Sequence, residues 1–199
     1  MAFADIRSEI PRTFFHILGG LFLVWIGYCA GSPTNKIVLG AIFIVSLLSD
    51  VMRLLVPWVN NLVKTIAGPV MRPKEEKGLT GTPAFTGGVF FAFLLFDPDI
   101  ALVSMVPLIF GDRAGLLVGK SVGRIPVKTK TLEGSLACFG TSFLIYMLLA
   151  GSTPEIFGYP VIVLFGSALI GTLAEALPRP FDDNLTIPIA VGLFLTFVT

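Results

Sequence analysis

The chain has 199 residues, of which 54% are hydrophobic and only 14% are charged, and its mean hydropathy is +0.88. This composition is too apolar for a water-soluble domain of that size and indicates a membrane protein. The formal net charge is only +1, and the charged residues lie in a few clusters, so their distribution matters more than their sum.

Apolar runs close to membrane length recur along the chain. A transmembrane helix needs about 20 apolar residues, or about 17 when it stands upright. The candidates are residues 14–31, 37–58, 84–96, 100–119, 136–151, 159–177 and 185–199. The third is short and contains Gly87 and Gly88, so we expect it to be tilted, re-entrant or lengthened by its neighbours. The sequence predicts one all-α domain over residues 1–199, a polytopic bundle of about seven transmembrane helices.

The distribution of cations predicts the orientation, because Lys and Arg near the ends of spans tend to stay on the cytoplasmic side. With seven spans and the N-terminus inside, every lysine and arginine except Lys36 is cytoplasmic. Most of the acidic residues follow them. We therefore expect a multi-pass protein of the cell membrane whose N-terminus and most polar residues face the cytoplasm.

Some charged residues lie inside or at the edge of predicted helices. An ionised side chain in hydrocarbon costs about 2.5–3.5 kcal/mol, so each needs a partner or a water-filled cavity. Asp50 and Arg53 are three residues apart on one helical face and can pair. Adjacent residues on a helix point about 100° apart, so we expect Arg113 not to satisfy Asp112, which would need a distant lysine or a metal ion.

The segment GDRAGLLVGKSVGRIPVKTKTLEGS, residues 111–135, combines glycines with cations. Its residues 114–121 fit a phosphate-loop pattern, but that motif requires a preceding strand, whereas here the apolar residues continue a membrane helix. Gly119 and Gly123 allow close backbone approach, and Lys128, Lys130, Thr131 and Glu133 follow them. Such a loop suits a triphosphate and its Mg²⁺. Contact with anionic lipid headgroups is the alternative.

The last inner turn runs from Glu175 to Asp182, Asp183 and Asn184. Two adjacent carboxylates repel each other unless a cation is near, so this turn suits a divalent ion. Capping of the final helix by Asp183 or Asn184 is a compatible role.

The earlier inner loop contains a predicted interfacial helix over residues 56–71, with Trp58 at headgroup depth. Arg72 follows it and could clamp a phosphate with two guanidinium nitrogens. Solvation of this charged run at the surface is the alternative. His16 is the only histidine, and we expect it to have a packing or interfacial role.

Several segments together resemble the CTP-dependent lipid kinases, the family of dolichol kinase, phytol kinase and fungal-type diacylglycerol kinase. They are DVMRLLVPWVNN, RPKEEKGLTGTPAFTGG, GDRAGLLVGKSVGR, KTKTLEGS and the stretch from Glu175 through DDNLTIP, and they cover residues 50–188. The combination of Asp112 and two following glycines, the Lys130-Thr131-x-Glu133-Gly134 run and the acidic turn carries the resemblance. Phosphatidate cytidylyltransferase is more distantly similar, but its histidine-glycine-glycine signature cannot be formed here.

The resemblance implies transfer of the terminal phosphoryl group of CTP to the hydroxyl of a polyprenol, a phytol-like alcohol or diacylglycerol, with Mg²⁺. Asp112, Asp182 and Asp183 would hold the metal. The active site would lie in cytoplasmic catalytic loops. The catalytic set would be Asp112, Lys130, Glu133 and Glu175, in which Asp112 and Glu175 are candidates for the general base, and Glu133 orders the nucleotide loop or contacts the ribose or base. The nucleotide would contact Arg72, Gly119, Gly123, Lys128, Lys130, Thr131 and Asn184.

The predicted partners are CTP, a lipid alcohol whose tail lies between spans, and membrane lipids, without nucleic acid. The oligomeric state stays open, a homodimer included. The alternative functions are a phosphatidate cytidylyltransferase and a non-enzymatic transporter, which would use the same inward charges as a path for ions or substrate.

Overall fold

The computed structural model describes residues 2–67, 71, 73–177 and 182–199, and these are almost entirely helical. The helices are α1 (Ala2–Cys29), α2 (Thr34–Leu55), α3 (Pro57–Ala67), α4 (Gly81–Leu95), α5 (Pro98–Val106), α6 (Asp112–Val122), α7 (Leu132–Ser152), α8 (Pro154–Phe157), α9 (Val161–Glu175) and α10 (Asp183–Val198). A 3₁₀ turn covers Pro73–Glu76, and a π-helical turn, Pro107–Gly111, joins α5 to α6. The strands β1 (Pro126–Val127) and β2 (Lys130–Thr131) form an antiparallel hairpin.

The all-α prediction is confirmed, and each predicted apolar run falls on a helix. Among the residues that the structure describes, four helical segments are long and apolar enough to cross a membrane: Glu9–Cys29, Thr34–Leu55, Pro98–Val122 and Leu132–Ser152. Three apolar helices of these same residues are shorter: Gly81–Leu95, Val161–Glu175 and Asp183–Val198. At about 1.5 Å per residue they measure about 22–24 Å, less than the roughly 30 Å hydrocarbon core. The number of spans and their orientation stay predictions.

The short third segment forms an uninterrupted helix, α4, which the bundle buries. Gly88 packs directly against the main-chain carbonyl of Asn184 in α10. A Cβ added at Gly88 would overlap this carbonyl oxygen. A similar contact joins α6 to α7, where a Cβ added at Gly115 would lie 3.0 Å from the carbonyl oxygen of Gly134. Small residues at such crossings let helix backbones pack closely in a membrane. Gly88 therefore serves helix packing, as does Gly87, where a Cβ would lie 3.0 Å from the Phe43 ring.

Polar side chains fix the starts of the helices that carry the candidate site. Thr131 Oγ1 accepts a hydrogen bond from the Gly134 amide at 3.2 Å at the start of α7. Asp182 Oδ1 accepts one from the Asn184 amide at 3.0 Å at the start of α10. These N-cap bonds satisfy amides that have no partner inside the helix, and so they define where each helix begins.

The π-helical turn lies immediately before Asp112. The Asp112 amide donates to the carbonyl of Pro107, five residues back, and π turns of this kind often occur at functional sites. The imidazole of His16 in α1 supports the turn, since its Nε2 lies 3.1 Å from the Leu108 carbonyl oxygen. The same ring packs on Phe85, with ring centroids 4.2 Å apart. His16 therefore has the packing role predicted from the sequence.

The predicted Asp50–Arg53 pair is present and buried. Arg53 Nε donates to Asp50 Oδ1 at 2.8 Å, and the guanidinium also donates to Asn60 Oδ1 at 3.1 Å and to the Gly78 carbonyl at 2.7 Å. Asp50 Oδ2 accepts a hydrogen bond from the Thr80 amide at 2.6 Å. The pair thus ties α2 to α3 and to the loop before α4. Within the predicted interfacial segment, α3 is helical and its Trp58 is exposed.

Candidate active site

Lys130 is the centre of a charged cluster at one end of the bundle. Its Nζ lies 2.6 Å from Glu175 Oε1, 2.8 Å from Asp183 Oδ2 and 3.9 Å from Asp112 Oδ1. Lys130 begins β2, Glu175 ends α9, Asp183 begins α10 and Asp112 begins α6. Packing of three helix ends around the hairpin therefore creates the cluster.

The three carboxylates of this cluster are close enough to share one cation. One oxygen from each of Asp112, Glu175 and Asp183 lies within 4.8 Å of the others. Asp112 and Glu175 are each only 2% exposed, and Glu175 Oε2 is buried without a hydrogen-bond partner among the described residues. Lys130 and Arg113 offset only two of the three negative charges, so the cluster can still attract a cation, and oxygen ligands are the ones Mg²⁺ prefers. The donor set therefore fits a Mg²⁺ ion.

Lys130 keeps its positive charge in this environment. Burial favours the neutral amine, but the charges of Asp112, Asp183 and Glu175 outweigh that effect and raise the pKa of Lys130 above its ordinary value. A lysine held in the ammonium form can meet phosphate oxygens as well as carboxylates.

Asp112 has a second cationic partner, which the sequence analysis excluded. Arg113 Nε donates to Asp112 Oδ2 at 2.8 Å, and Arg113 Nη2 binds the same oxygen. The expectation that these neighbours cannot pair is wrong, because the long arginine side chain folds back to the preceding residue. The distant lysine predicted for Asp112 is present as Lys130, close to the other oxygen.

A cavity of about 710 Å³ adjoins the carboxylates, and we call it the reaction cavity. Its size falls within the range of about 300–1,000 Å³ that is typical of ligand sites. Arg113 and Lys120 also line it; Arg113 is paired with Asp112, and Lys120 Nζ lies 2.9 Å from Glu9 Oε1. Predicted site residues that line it are Asp112, Gly119, Lys130, Thr131, Glu175, Asp182, Asp183 and Asn184.

The predicted glycines act partly through packing. A Cβ at Gly123 would lie 2.7 Å from Thr131 Oγ1, and one at Gly119 would lie 3.0 Å from the same atom. Their small size therefore lets the end of α6 pack against the Thr131 cap of α7. Of the two, Gly119 also forms part of the cavity wall.

The hairpin places the remaining loop residues. The Glu133 carboxylate accepts hydrogen bonds from the amides of Arg124 at 3.0 Å and Ile125 at 3.3 Å, so it orders the chain between α6 and the hairpin. Its part in nucleotide binding stays a prediction. Lys128 lies exposed at the hairpin turn with φ of 56°. Its contact with a nucleotide stays a prediction.

The two adjacent acids of the last turn have different environments. Asp182 Oδ1 accepts hydrogen bonds from both the backbone and the side-chain amide of Asn184, the latter at 2.7 Å, so Asp182 is the N-cap of α10. Asp183 turns to Lys130 instead. Arg72, the predicted phosphate clamp, and Arg179 lie outside the described residues.

A second cavity of about 680 Å³ adjoins the first, between α1, α2 and α4. The two cavities share the lining residues Glu75, Thr80, Gly81, Arg113 and Asn184. Glu75 also accepts a hydrogen bond from Arg12 Nη2 at 3.4 Å. The sequence analysis assigned no site role to Glu75, Lys120 or Arg113, because nothing local distinguishes an inward-facing charge from a solvated one.

The sequence is similar to curated proteins over nearly its whole length. It is 32% identical over 212 residues to the CTP-dependent diacylglycerol kinase 1 of Eremothecium gossypii, an alignment that covers 95% of this chain and 67% of that protein. The chain belongs to the family of CTP-dependent lipid kinases. This membership confirms the resemblance drawn from the motifs.

Two more members carry the same name. The Saccharomyces cerevisiae protein is 27% identical and the Schizosaccharomyces pombe protein 29% identical, each over 96% of this chain. The alignments cover 74% and 94% of those proteins, respectively. No family model matches the chain, and no solved structure matches it.

Proposed function

We propose that this chain transfers the terminal phosphoryl group of CTP to the hydroxyl of a membrane lipid alcohol, in a Mg²⁺-dependent reaction at the cytoplasmic face. The observation that carries the proposal is the contact of Lys130 with Glu175, Asp183 and Asp112 beside a cavity of nucleotide size. The fungal relatives are named for diacylglycerol, which is therefore the first acceptor to test.

The residues divide between metal and phosphate binding. Asp112, Glu175 and Asp183 would hold Mg²⁺, which supplies charge neutralisation for the transferred phosphoryl group. Lys130 and Lys120 then provide ammonium groups for the phosphate oxygens, since phosphoryl transfer depends mainly on positioning and charge.

The acceptor must lose its hydroxyl proton as the new bond forms. We assign this proton to Glu175 rather than Asp112, because Glu175 lines the reaction cavity and its Oε2 has no hydrogen-bond partner among the described residues, whereas the Asp112 oxygens contact Arg113 and Lys130. The lipid oxygen forms a bond to the terminal phosphorus, the bond from that phosphorus to the bridging oxygen breaks, and CDP leaves. The Glu175 carboxylate takes up the proton.

A seven-span arrangement with the N-terminus inside fits the positions of the polar contacts. The end of α2, the start of α4, the hairpin, the end of α9 and the start of α10 all lie at the end of the bundle that carries the site. Lys36 contacts the Leu94 carbonyl at 3.4 Å, at the opposite end. The site and Lys36 thus lie at opposite ends of the bundle. This placement agrees with the distribution of cations, which favours a cytoplasmic location for the site.

The test is a labelling assay with purified protein, diacylglycerol in mixed micelles and Mg²⁺. We expect label from γ-labelled CTP in the extracted lipid, none from α-labelled CTP, and no transfer in the presence of EDTA. Label retained from the α position would indicate a cytidylyltransferase. Flux in liposomes without nucleotide turnover would indicate a transporter. Assays with ATP or UTP in place of CTP define the phosphoryl donor. Assays with a polyprenol or phytol in place of diacylglycerol define the acceptor.

A further inference from the structure

We infer that the second cavity binds the lipid acceptor as an uncharged alcohol, with its hydroxyl directed towards Arg113 and Asn184 and its hydrocarbon between α1 and α2. We call this space the acceptor cavity. The inference rests on the proposed function, and it assigns the site and the charge class of the lipid substrate.

The acceptor cavity changes from polar to apolar along its length. At the end shared with the reaction cavity its wall contains Glu75, Thr80 and Arg113, and further along it contains Phe22 and Leu23. A site with this gradient fits a molecule that has one polar end and a hydrocarbon tail. Because the polar ends of the two cavities coincide, a hydroxyl bound there would face the phosphates of a nucleotide in the reaction cavity.

The apolar end has access to the bilayer. Phe15 and Phe22 on α1 line the cavity and are 65% and 58% exposed, respectively. Both lie in Glu9–Cys29, a segment long and apolar enough to cross the membrane, where exposed aromatic side chains face lipid. A lipid could therefore enter sideways, leaving the distal parts of its chains among membrane lipids.

The charges on the cavity wall favour an uncharged ligand. Arg53 is paired with Asp50 at 2.8 Å, and Arg12 is paired with Glu75 at 3.4 Å. Arg113 is paired with Asp112. A phosphate-bearing lipid would have to compete with these carboxylates without the Mg²⁺ that the proposed mechanism supplies to CTP in the reaction cavity, whereas an alcohol needs only a hydrogen bond. The cavity therefore suits the acceptor of a kinase better than phosphatidate, the anionic substrate of a cytidylyltransferase.

Gly19 offers a direct test, because it lines the cavity and a Cβ at this position would have no heavy atom within 4 Å. Gly19→Leu should therefore fill cavity space without disturbing the bundle. Ser49→Leu narrows the facing wall on α2. Gly140→Leu is the matched control, since Gly140 also lies on a helix with open space around it and belongs to neither cavity lining.

We expect kcat/KM for dioleoylglycerol to fall about tenfold or more in Gly19→Leu and Ser49→Leu, with the KM for CTP unchanged and Gly140→Leu like the wild type. A photoreactive diacylglycerol should label residues of α1, and dioleoylglycerol should compete with this labelling. Normal kinetics in both variants, or labelling confined to other helices, would overturn the acceptor site. Absence of any lipid phosphorylation by the wild-type protein would refute the kinase proposal instead, and the labelling would still report on the cavity.

Discussion

Lys130 Nζ lies 2.6 Å from Glu175 Oε1, and this contact ties the hairpin before α7 to the end of α9. The same ammonium contacts Asp183 at 2.8 Å at the start of α10. One side chain thus holds together helix ends that would otherwise repel each other through their carboxylates. Its charge therefore stabilises the geometry of the site, and in the proposed reaction it also binds phosphate.

Removing this charge should abolish most of the activity. In Lys130→Ala the three carboxylates lose their shared cation, and the phosphates lose a preorganised donor. We expect kcat/KM in the γ-labelled CTP assay to fall by about 10²–10³-fold. Lys36→Ala, which removes a lysine at the opposite end of the bundle, is the control and should retain wild-type activity. Near-normal turnover in Lys130→Ala would refute the central role of the cluster.

The raised pKa of Lys130 predicts that this group does not limit activity in moderately alkaline solution. A base whose pKa is raised by folding stabilises the folded state fully below its unfolded pKa, about 10.4 for lysine, and this contribution is lost as the pH rises through the higher folded pKa. Between pH 7 and about 10 we therefore expect no Lys130 transition in kcat or in the unfolding temperature. A fall in kcat or in the unfolding temperature within this pH range, present in the wild type and absent in Lys130→Arg, would contradict the raised pKa of Lys130.

Asp182 and Asp183 form a matched pair for testing the metal site. Asp183 belongs to the carboxylate cluster, whereas Asp182 caps α10, a role that asparagine also fills well. We expect Asp183→Asn to raise the Mg²⁺ concentration for half-maximal activity by about tenfold or more, and Asp182→Asn to change it little. Equal effects would support the sequence-based prediction that both aspartates bind the metal.

Lys128 can be tested without damaging its turn. Because its φ of 56° is in the left-handed region, Lys128→Gly removes the charge while favouring the same backbone conformation. If Lys128 reaches the triphosphate, we expect the KM for CTP to rise severalfold with kcat nearly unchanged. A KM equal to that of the wild type would limit Lys128 to a role in the hairpin.

Much of the fold follows from local sequence. Each predicted apolar run forms a helix, because hydrophobic length and the absence of backbone partners in lipid favour helices wherever the run occurs. The Asp50–Arg53 pair was equally predictable, since helical geometry places residues three apart on one face. The family was also visible in the motifs, and the relatives confirm it.

Only the tertiary structure decided which charges from different helices meet. The sequence named Asp112, Lys130, Glu175 and Asp183 as site residues, but only the packing of helix ends brings Lys130 into contact with all three carboxylates. The structure also shows that Asp182 and Asp183 have different partners, the Asn184 amide and Lys130, because successive residues at a helix start point in different directions.

Arg113 and Glu75 likewise acquired their positions from packing. The helical spacing of Asp112 and Arg113 predicted that they do not pair, whereas the structure shows the bond. The sequence around Glu75 does not indicate that this residue lines two adjoining cavities. Hydrophobic length and helix caps are properties of neighbouring residues, so the sequence by itself determined the helices and the chemical inventory of the site. Cavities and charge networks depend on which helix faces pack together across the bundle, so only the tertiary structure could decide them.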